Sequence, residues 1–257
     1  MSISARLQAA SVAALVHFCI SLVLVGCVAA YVFLVWFPNG LFQLTGGMGL
    51  FVVLMLVDLV CGPGLTLVLF DARKSSLKWR IDIALIVVIQ LLALGYGVVQ
   101  IAKTRPVFLA FEGDRFRVVQ ALDVDLSRIA EAPALLQSLS WSGPRPLGVR
   151  LSESTDPDFL DSVQESIRGF HPAFRPSRWV AYDSQANRVL SSAKPIAELE
   201  RNAATPTDVL SQAVAATGLP KVRLGYLPLV RDLNTSWIVL VDLQSAQPVG
   251  WTPIDGW

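Results

Sequence analysis

Asp58 is the residue whose position most strongly indicates unusual chemistry, because it lies in the middle of the apolar stretch from Leu44 to Phe70. No other residue of that stretch carries a charge, and a carboxylate near the middle of a bilayer costs about 2.5–3.5 kcal/mol on insertion scales. Gly62, Pro63 and Gly64 follow four residues later. Pro63 removes a backbone donor, a loss that lipid cannot compensate but a neighbouring helix can. Asp58 therefore predicts helix–helix contact or a polar path inside a membrane.

The spacing around Asp58 defines one helix face. Asp58, Gly62 and Thr66 recur every four residues and so share a face, and small residues on it would let another helix approach closely. In a later apolar stretch, Gln90 is expected at a depth within about two helical turns of Asp58.

Three interpretations of Asp58 stay open. It could be protonated, or hydrogen-bonded to Gln90 or Thr66, and lock the protein's own helices together. It could receive a membrane helix from a partner. A proton or ion path is the least favoured, because transporters usually place several ionisable groups on more spans. His17 is interpreted as a packed histidine near the membrane interface rather than as a proton relay.

Candidate catalytic and metal-binding chemistry is sparse beyond the apolar stretches. His171 is the only histidine after residue 102, and a lone histidine without cysteines has no recognisable metal-site spacing. The chain has no G-x-S-x-G turn, P-loop or G-x-G-x-x-G segment. The acidic residues from Asp156 to Glu165 fit a helix amino terminus better than a calcium site. The sequence thus predicts no catalytic residue, metal or cofactor, and it favours binding over catalysis.

Composition divides the chain into an apolar part and a polar part. Three apolar runs, at about residues 12–37, 44–70 and 83–102, are long enough to cross about 30 Å of hydrocarbon. After residue 102 the chain holds 16 of its 21 Lys and Arg and 17 of its 20 Asp and Glu. The prediction is a membrane protein with a three-helix transmembrane bundle in residues 1–104, followed by a soluble α+β domain in residues 105–257. A formal net charge of +1 gives no indication of nucleic-acid binding.

Basic residues predict the orientation in the membrane. Arg6 precedes the first span, and the loop at residues 71–80 contains four basic residues. The positive-inside rule then places the amino terminus and this loop in the cytoplasm and the carboxy-terminal domain on the other side. Lys103 and Arg105 weakly oppose this assignment. A lipoprotein signal ending at Cys27 is disfavoured, because the chain stays apolar after it.

Alternating segments predict the elements of the soluble domain. VFLAF and RFRVVQA flank a hairpin turn at Glu112-Gly113-Asp114. Asp156 is predicted to cap a helix that covers DFLDSVQESIRGF, and TPTDVLSQAVAATG is predicted to be a second helix that ends at Gly218. KVRLGYLPLV and WIVLVDLQSAQPVGWTP predict two or three strands. The Pro- and Gly-rich stretches SWSGPRPLG and FHPAFRPSRW are predicted to be irregular.

Three parts of the chain resemble the type IV pilin accessory proteins (the TfpX/TfpZ group). The resemblance rests on the following segments: Asp58 with Cys61–Pro63 and Thr66–Phe70; Arg105–Phe108 with Phe111–Glu112, Asp114–Phe116 and Val118–Val119; and Trp237–Asp242 with Pro253–Trp257. It covers the whole chain, although residues 127–217 match no motif of the family.

The resemblance implies an inner-membrane protein of a Gram-negative bacterium, with a periplasmic domain, that assists the assembly or stabilisation of one major type IV pilin. Its partners would be that pilin, the pilus assembly machinery and the lipid bilayer. Before assembly a pilin has a single membrane helix and a periplasmic head, so both parts of this chain could meet it. The residues predicted to bind the partner are Asp58, Gly62, Pro63, Thr66, Gln90, Arg105, Glu112, Asp114 and Arg115.

Two alternative functions are weighed against this one. A membrane-anchored periplasmic sensor or regulator of pilus biogenesis is disfavoured, because a short tail and one short loop leave little room for a cytoplasmic output module. A pilin-modifying enzyme is disfavoured because the sequence has no paired acid and base and no nucleotide-binding motif.

Overall fold

The structure is a computed structural model that describes residues 3–46, 48–70, 75–202, 204–232 and 234–257. The chain divides into two compact units, which are described separately. Unit 1 comprises Met1–Phe33 and Gly46–Lys103, and unit 2 comprises Leu34–Thr45 and Thr104–Trp257. Arg73 and Lys74, two of the four loop residues that predict the orientation, lie outside the described residues.

Helices dominate the first part of the chain. They are α1 (Ile3–Tyr31), continued by one π-helical turn (Val32–Trp36), then α2 (Leu41–Thr45), α3 (Met48–Leu69) and α4 (Ser76–Thr104). In the described part of the chain, three segments are long and apolar enough to cross a membrane: Arg6–Trp36, Phe51–Leu69 and Leu77–Thr104. The predicted layout of three apolar helices followed by an α+β region is confirmed. Pro63 lies inside α3, which continues past it.

Unit 2 is built on one mixed sheet. Its strands are β1 (Pro106–Phe111), β2 (Phe116–Gln120), β3 (Arg145–Val149), β4 (Trp179–Val180), β5 (Lys194–Pro195), β6 (Leu224–Arg231), β7 (Asn234–Asp242) and β8 (Pro248–Thr252). The order is β4-β3-β1-β2-β6-β7-β8, and β5 also pairs with β6. Besides α2, the described residues of unit 2 form the short helices α5 (Phe159–Ile167), α6 (Ala186–Ser192), α7 (Ile196–Arg201) and α8 (Thr207–Thr217).

The core of unit 2 has two clusters. Phe108, Leu147 and Trp179 are among the buried residues of the first. In the second, Leu210 of α8 packs with residues of β6 and β7, including Ile238. Because β1 and β2 are buried at every position, they form the centre of the domain and fix the position of the turn that joins them.

The segment between α1 and α3 belongs to the sheet unit. The Trp251 indole Nε1 donates a hydrogen bond to the Pro38 carbonyl oxygen, 3.1 Å away. An added Cβ at Gly40 would stand 3.8 Å from the Trp237 ring. The loop after the first span is therefore a structural part of the carboxy-terminal domain.

The directions of the first three strands define two ends of the sheet. Antiparallel pairing sets Pro106 opposite Gln120, and parallel pairing sets Phe108 beside Arg145. The start of β1, the end of β2 and the start of β3 therefore lie together beside Arg105, at what is called here the Arg105 end. The β1–β2 turn, at Glu112–Arg115, defines the hairpin end.

Two local predictions are wrong. The stretch SWSGPRPLG contains the start of β3, because pairing with β1 supplies backbone hydrogen bonds that composition alone does not indicate. The helix predicted to be capped by Asp156 begins at Phe159, with Asp158 at the N-cap position. The Asp156 carboxylate instead accepts hydrogen bonds from the backbone of Glu153 and the side chain of Arg150. The prediction that Gly218 ends α8 is confirmed, with φ of 67°.

Candidate partner-binding surfaces

A chain of hydrogen bonds connects the three long helices of unit 1. The Gln90 side-chain oxygen can only accept, so the His17 Nε2, 2.6 Å away, donates to it. In a neutral imidazole the His17 Nδ1 then accepts, and the Thr66 hydroxyl, 2.6 Å away, donates to it. His17 thus joins α1 to both α3 and α4.

His17 is packed among the helices, as predicted, and its position relative to the membrane interface stays a prediction. Gln90 lies near the middle of α4, whereas Thr66 lies three residues before the end of α3. Without water, both ring nitrogens need partners within the protein, and Thr66 and Gln90 supply them. The sequence signal for this role is the presence of a polar side chain in each apolar helix, at His17, Thr66 and Gln90.

Gly62 makes room for Gln90. The Gln90 side-chain nitrogen donates to the Asp58 backbone oxygen, 2.9 Å away. A Cβ at Gly62 would stand only 2.0 Å from that nitrogen. By contrast, Gly64 has nothing within 4 Å of an added Cβ. At Gly62 this face is thus approached by α4 of the same chain, and at Thr66 it is approached by α1 through His17.

The Asp58 side chain is buried but is not part of this hydrogen-bond chain. Asp58 is 4% exposed, and its Oδ2 has no hydrogen-bond partner among the described residues. Gln90 binds the backbone oxygen of Asp58, not its carboxyl group. A buried polar atom without a partner is costly, so this oxygen is the position in the bundle at which a donor from outside would gain most.

Asp58 borders a cavity of about 450 Å³, called here the bundle groove. Its walls are apolar side chains of α1 and α4, such as Ile20, Val87 and Leu91. The polar residues that line it are His17, Ser21, Asp58, Thr66 and Gln90. An apolar groove with a few polar groups in its lining suits another membrane helix, because such a helix offers apolar side chains and isolated polar ones.

Two of the residues predicted to bind a partner are buried in the sheet unit. The Glu112 carboxylate accepts a hydrogen bond from the Arg117 Nε at 2.8 Å, and both side chains are less than a tenth exposed. The Arg105 guanidinium carbon lies 3.7 Å from the centroid of the Trp141 ring, and its Nε donates to the Ser140 carbonyl oxygen. Both residues thus make contacts that stabilise the domain itself.

Asp114 and Arg115 are the other two residues of unit 2 predicted to bind a partner. They form the accessible tip of the hairpin. Their side chains pair through two hydrogen bonds of 2.8 Å and remain 61% and 34% exposed. The hydrogen bond from Arg115 lowers the pKa of the Asp114 carboxyl below its ordinary value. The Arg115 guanidinium also lies 4.7 Å from the centroid of the Trp257 ring. The tip therefore presents a rigid pair of opposite charges beside an aromatic ring.

A second cavity, of about 560 Å³, lies beside this tip and is lined by Glu112–Arg115, Arg117, Leu151, Ser166, His171 and Pro172. Burial, together with the positive charge of Arg117, lowers the pKa of His171. Among the described residues, no group of three or more His, Cys, Asp or Glu could hold a metal ion.

Helix α5 borders the same region with an apolar face directed outward. Leu160 and Ile167 are 77% and 81% exposed, whereas Ser162 is buried against Arg175. This is the reverse of the usual arrangement for a surface helix, whose apolar stripe faces the core. An exposed apolar stripe beside a charged tip is typical of a protein-binding surface.

Comparisons with known proteins place the chain in a family. A family described as fimbrial assembly protein FimB matches residues 5–46. The fimbrial assembly protein of serogroup I from Dichelobacter nodosus is 33% identical over 234 residues, which cover 88% of each chain. The chain belongs to this family of fimbrial assembly proteins.

Two further relatives come from the same organism. The fimbrial assembly protein of serogroup E1 is 32% identical, again over 88% of both chains. That of serogroups C1 and C2 is 35% identical over 117 residues, which cover 46% of this chain and 89% of the relative. No solved structure matches the chain. The resemblance to a type IV pilus accessory family is thus confirmed.

Proposed function

We propose that this chain is a membrane-bound accessory factor that binds its cognate major type IV pilin and promotes the stability of that pilin or its assembly into pili. Membership of a fimbrial assembly family supports the biological role. The observation that carries the binding step is the bundle groove with the unpartnered Oδ2 of Asp58 beside it. In this proposal the chain acts by binding alone and catalyses no reaction.

The pilin helix would occupy the bundle groove. Gln90 and His17 hold α1, α3 and α4 together without the Asp58 carboxyl, so that group remains available. A helix that enters between α1 and α4 would bury its apolar side chains against Ile20 and Val87. A hydroxyl or amide on that helix would then donate to the Asp58 Oδ2, after a rotation of the side chain exposes this buried oxygen to the groove.

The pilin head would meet the hairpin end of unit 2. Asp114 and Arg115 supply exposed charges of both signs, and α5 supplies the exposed side chains of Leu160 and Ile167. A charged rim beside an apolar patch is the usual anatomy of a specific interface. Of the residues predicted to bind the partner, Asp114 and Arg115 would contact the pilin head, whereas the buried Glu112 would support the hairpin.

We also propose an orientation, in which the amino terminus lies in the cytoplasm and the sheet domain lies in the periplasm. The loop after the first span packs on the domain that follows the third, as required if both lie on one side of the membrane. Lys78 and Arg80 at the start of α4 favour the cytoplasm for the other side.

Site-specific photo-crosslinking tests the groove. A photoreactive residue at Ile20 or Val87 lines the groove, whereas one at Val53 or Val60 occupies an exposed position of α3 that does not line it. We expect crosslinks to pilin from the first pair at several times the yield from the second. Equal yields, or none from either pair, would exclude the groove as the binding site.

A parallel experiment tests the head contact and the absence of catalysis. Crosslinks from Leu160 and Ile167 should reach the pilin head, whereas those from Leu135, beyond the Arg105 end of β2, should not. In cells that lack the protein, pilus number should fall while the mass of pilin stays unchanged. A shift in pilin mass would instead support a pilin-modifying enzyme.

A further inference from the structure

The connection between β2 and β3, residues 121–144, begins and ends at the Arg105 end of the sheet. The Ala121 backbone N–H donates to the Arg105 carbonyl oxygen at 3.0 Å, and β3 begins at Arg145, beside Phe108 of β1. Arg105 directly follows α4, the third candidate span. The chain leaves the membrane at the end of this third span, directly before Arg105. Both ends of the connection therefore lie within a few residues of that point.

Three contacts within unit 2 hold the connection to residues that flank two spans. The Trp141 ring lies 3.7 Å from the Arg105 guanidinium carbon and 5.8 Å, centroid to centroid, from the ring of Trp36. Trp36 ends the first candidate span. An added Cβ at Gly143, which has a φ of +90°, would stand 3.2 Å from the Val35 carbonyl oxygen. The connection is thus fixed beside the ends of the first and third spans.

The connection has an inner and an outer apolar face. Ile129, Leu136 and Leu139 pack against the core of the domain. Four other apolar residues point away from it: Leu122, Leu126, Leu135 and Trp141 are 54%, 59%, 88% and 57% exposed. Four large exposed apolar side chains within one short connection are unusual for a surface in contact with water alone.

The charged side chains of the connection make ion pairs or local hydrogen bonds. Arg128 is paired with Glu131 at 2.8 Å, and Asp123 is paired with Arg231 of β6 at 2.5 Å. Asp125 accepts hydrogen bonds from the backbone and hydroxyl of Ser127. Exposed leucines and a tryptophan are among the side chains that segments at a bilayer surface insert into it.

We propose that residues 121–141 form a membrane-surface anchor, in which Leu122, Leu126, Leu135 and Trp141 enter the interfacial layer of the membrane that the three helices cross. The occupant of these side chains is lipid, because Trp141, one of the four, contacts Trp36 and Arg105 at the ends of two spans. The anchor adds a contact between domain and bilayer to the covalent links. The β1–β2 hairpin lies at the opposite end of the same sheet. This inference does not depend on the identity of the partner.

Spin labels on the full-length chain in liposomes test the anchor. Cys19, Cys27 and Cys61 are replaced by alanine, and single cysteines are introduced by Leu126→Cys, Leu135→Cys or Leu160→Cys. Leu160 is the matched control, because it is also an exposed leucine, at 77%, but lies on α5, which borders the cavity at the hairpin end. Near-ultraviolet circular dichroism confirms that each variant is folded.

We expect labels at 126 and 135 to collide more often with oxygen, which concentrates in lipid, than with a water-soluble nickel chelate. The label at 160 should show the reverse preference. Equal access of the chelate to all three labels would overturn the proposal, and so would a lipid-like result at 160. Protection of 126 and 135 that appears only when pilin is added would also overturn it, in favour of a protein contact.

Discussion

Asp58 in unit 1 and Glu112 in unit 2 are both buried carboxylates, but their surroundings differ. The Glu112 carboxylate faces the guanidinium of Arg117 and also lies 3.4 Å from the Ala173 backbone nitrogen. The Oδ2 of Asp58 has no partner within the described residues. In the domain, the buried Glu112 carboxylate is thus paired with a cation. In the bundle, the buried Oδ2 of Asp58 remains an acceptor without a donor among the residues that the structure describes. Glu112 thus stabilises the fold through its pair, whereas Asp58 makes no such pair with any described residue.

Breaking the Glu112–Arg117 pair should have the largest effect on stability. Arg117→Met leaves a buried carboxylate without its cation, and the loss of one member of such a pair costs about 3–5 kcal/mol. The double variant Glu112→Leu with Arg117→Met should recover most of that loss, because neither charge then remains buried. The measurement is urea unfolding of the full chain in detergent, followed by near-ultraviolet circular dichroism. A loss below about 1 kcal/mol in the single variant would put the pair in the class of surface ion pairs.

Filling the space at Gly62 should destabilise the bundle to a smaller extent. Gly62→Ala places a methyl group where Gln90 lies and displaces the donor to the Asp58 backbone, at a cost of about 1–3 kcal/mol. Gly64→Ala adds the same methyl group with nothing within 4 Å, so it should leave stability unchanged or slightly raised. Titration with a denaturing detergent, followed by helical circular dichroism, compares the two. Equal effects would contradict the assigned role of Gly62.

Removing the Asp58 carboxyl should affect the partner more than the bundle. Asp58→Leu leaves the backbone oxygen that Gln90 binds and removes the unpartnered Oδ2, so the bundle should be at least as stable as before. Pilin crosslinking from Val87 should fall on the order of tenfold, which corresponds to about 1.4 kcal/mol, a loss near the upper range for one hydrogen bond between membrane helices. A variant with a destabilised bundle and undiminished crosslinking would show that Asp58 is a structural lock.

Asp242 offers a third carboxylate, and its contribution should be the smallest and appear only in acid. Hydrogen bonds from Arg223 and Ser245 lower the pKa of Asp242 from 3.8 to about 2. Because the pKa is depressed in the folded state, this group stabilises the fold above about pH 4, and the stabilisation is lost as the pH falls towards about 2. Unfolding midpoints measured across this range should fall in the parent chain. Asp242→Asn should remove that part of the slope, and an unchanged slope would contradict the assignment.

Much of the bundle can be predicted from the sequence, because the relevant signals are local. Hydropathy predicts three helices, and the four-residue spacing places Asp58, Gly62 and Thr66 on one face. Gln90 is expected at the depth of Asp58, and it contacts the Asp58 backbone. The position of His17 cannot be predicted in this way, because it depends on how α1 is rotated against two other helices.

In the domain, the elements that depend on pairing are the ones that the sequence does not predict. The strand at Arg145–Val149 contains Pro146 and Gly148 and gains its conformation from β1. The exposure of the apolar face of α5 is also not predictable, because the spacing of apolar residues shows that a helix has two faces but not which of them is covered. The burial of Arg105 and Glu112 likewise depends on the fold that brings them to their partners.

The hydrogen bond between Trp251 and Pro38 also has a consequence for biosynthesis. The two residues are 213 positions apart, and at about 5–20 residues per second a ribosome needs on the order of 10–40 s to add that length. The first loop therefore emerges long before the strand on which it packs exists. The domain can complete its fold only after β8 has been synthesised. Until then, lipid or a chaperone must shield Trp237 and the loop at Pro38–Gly40 from water.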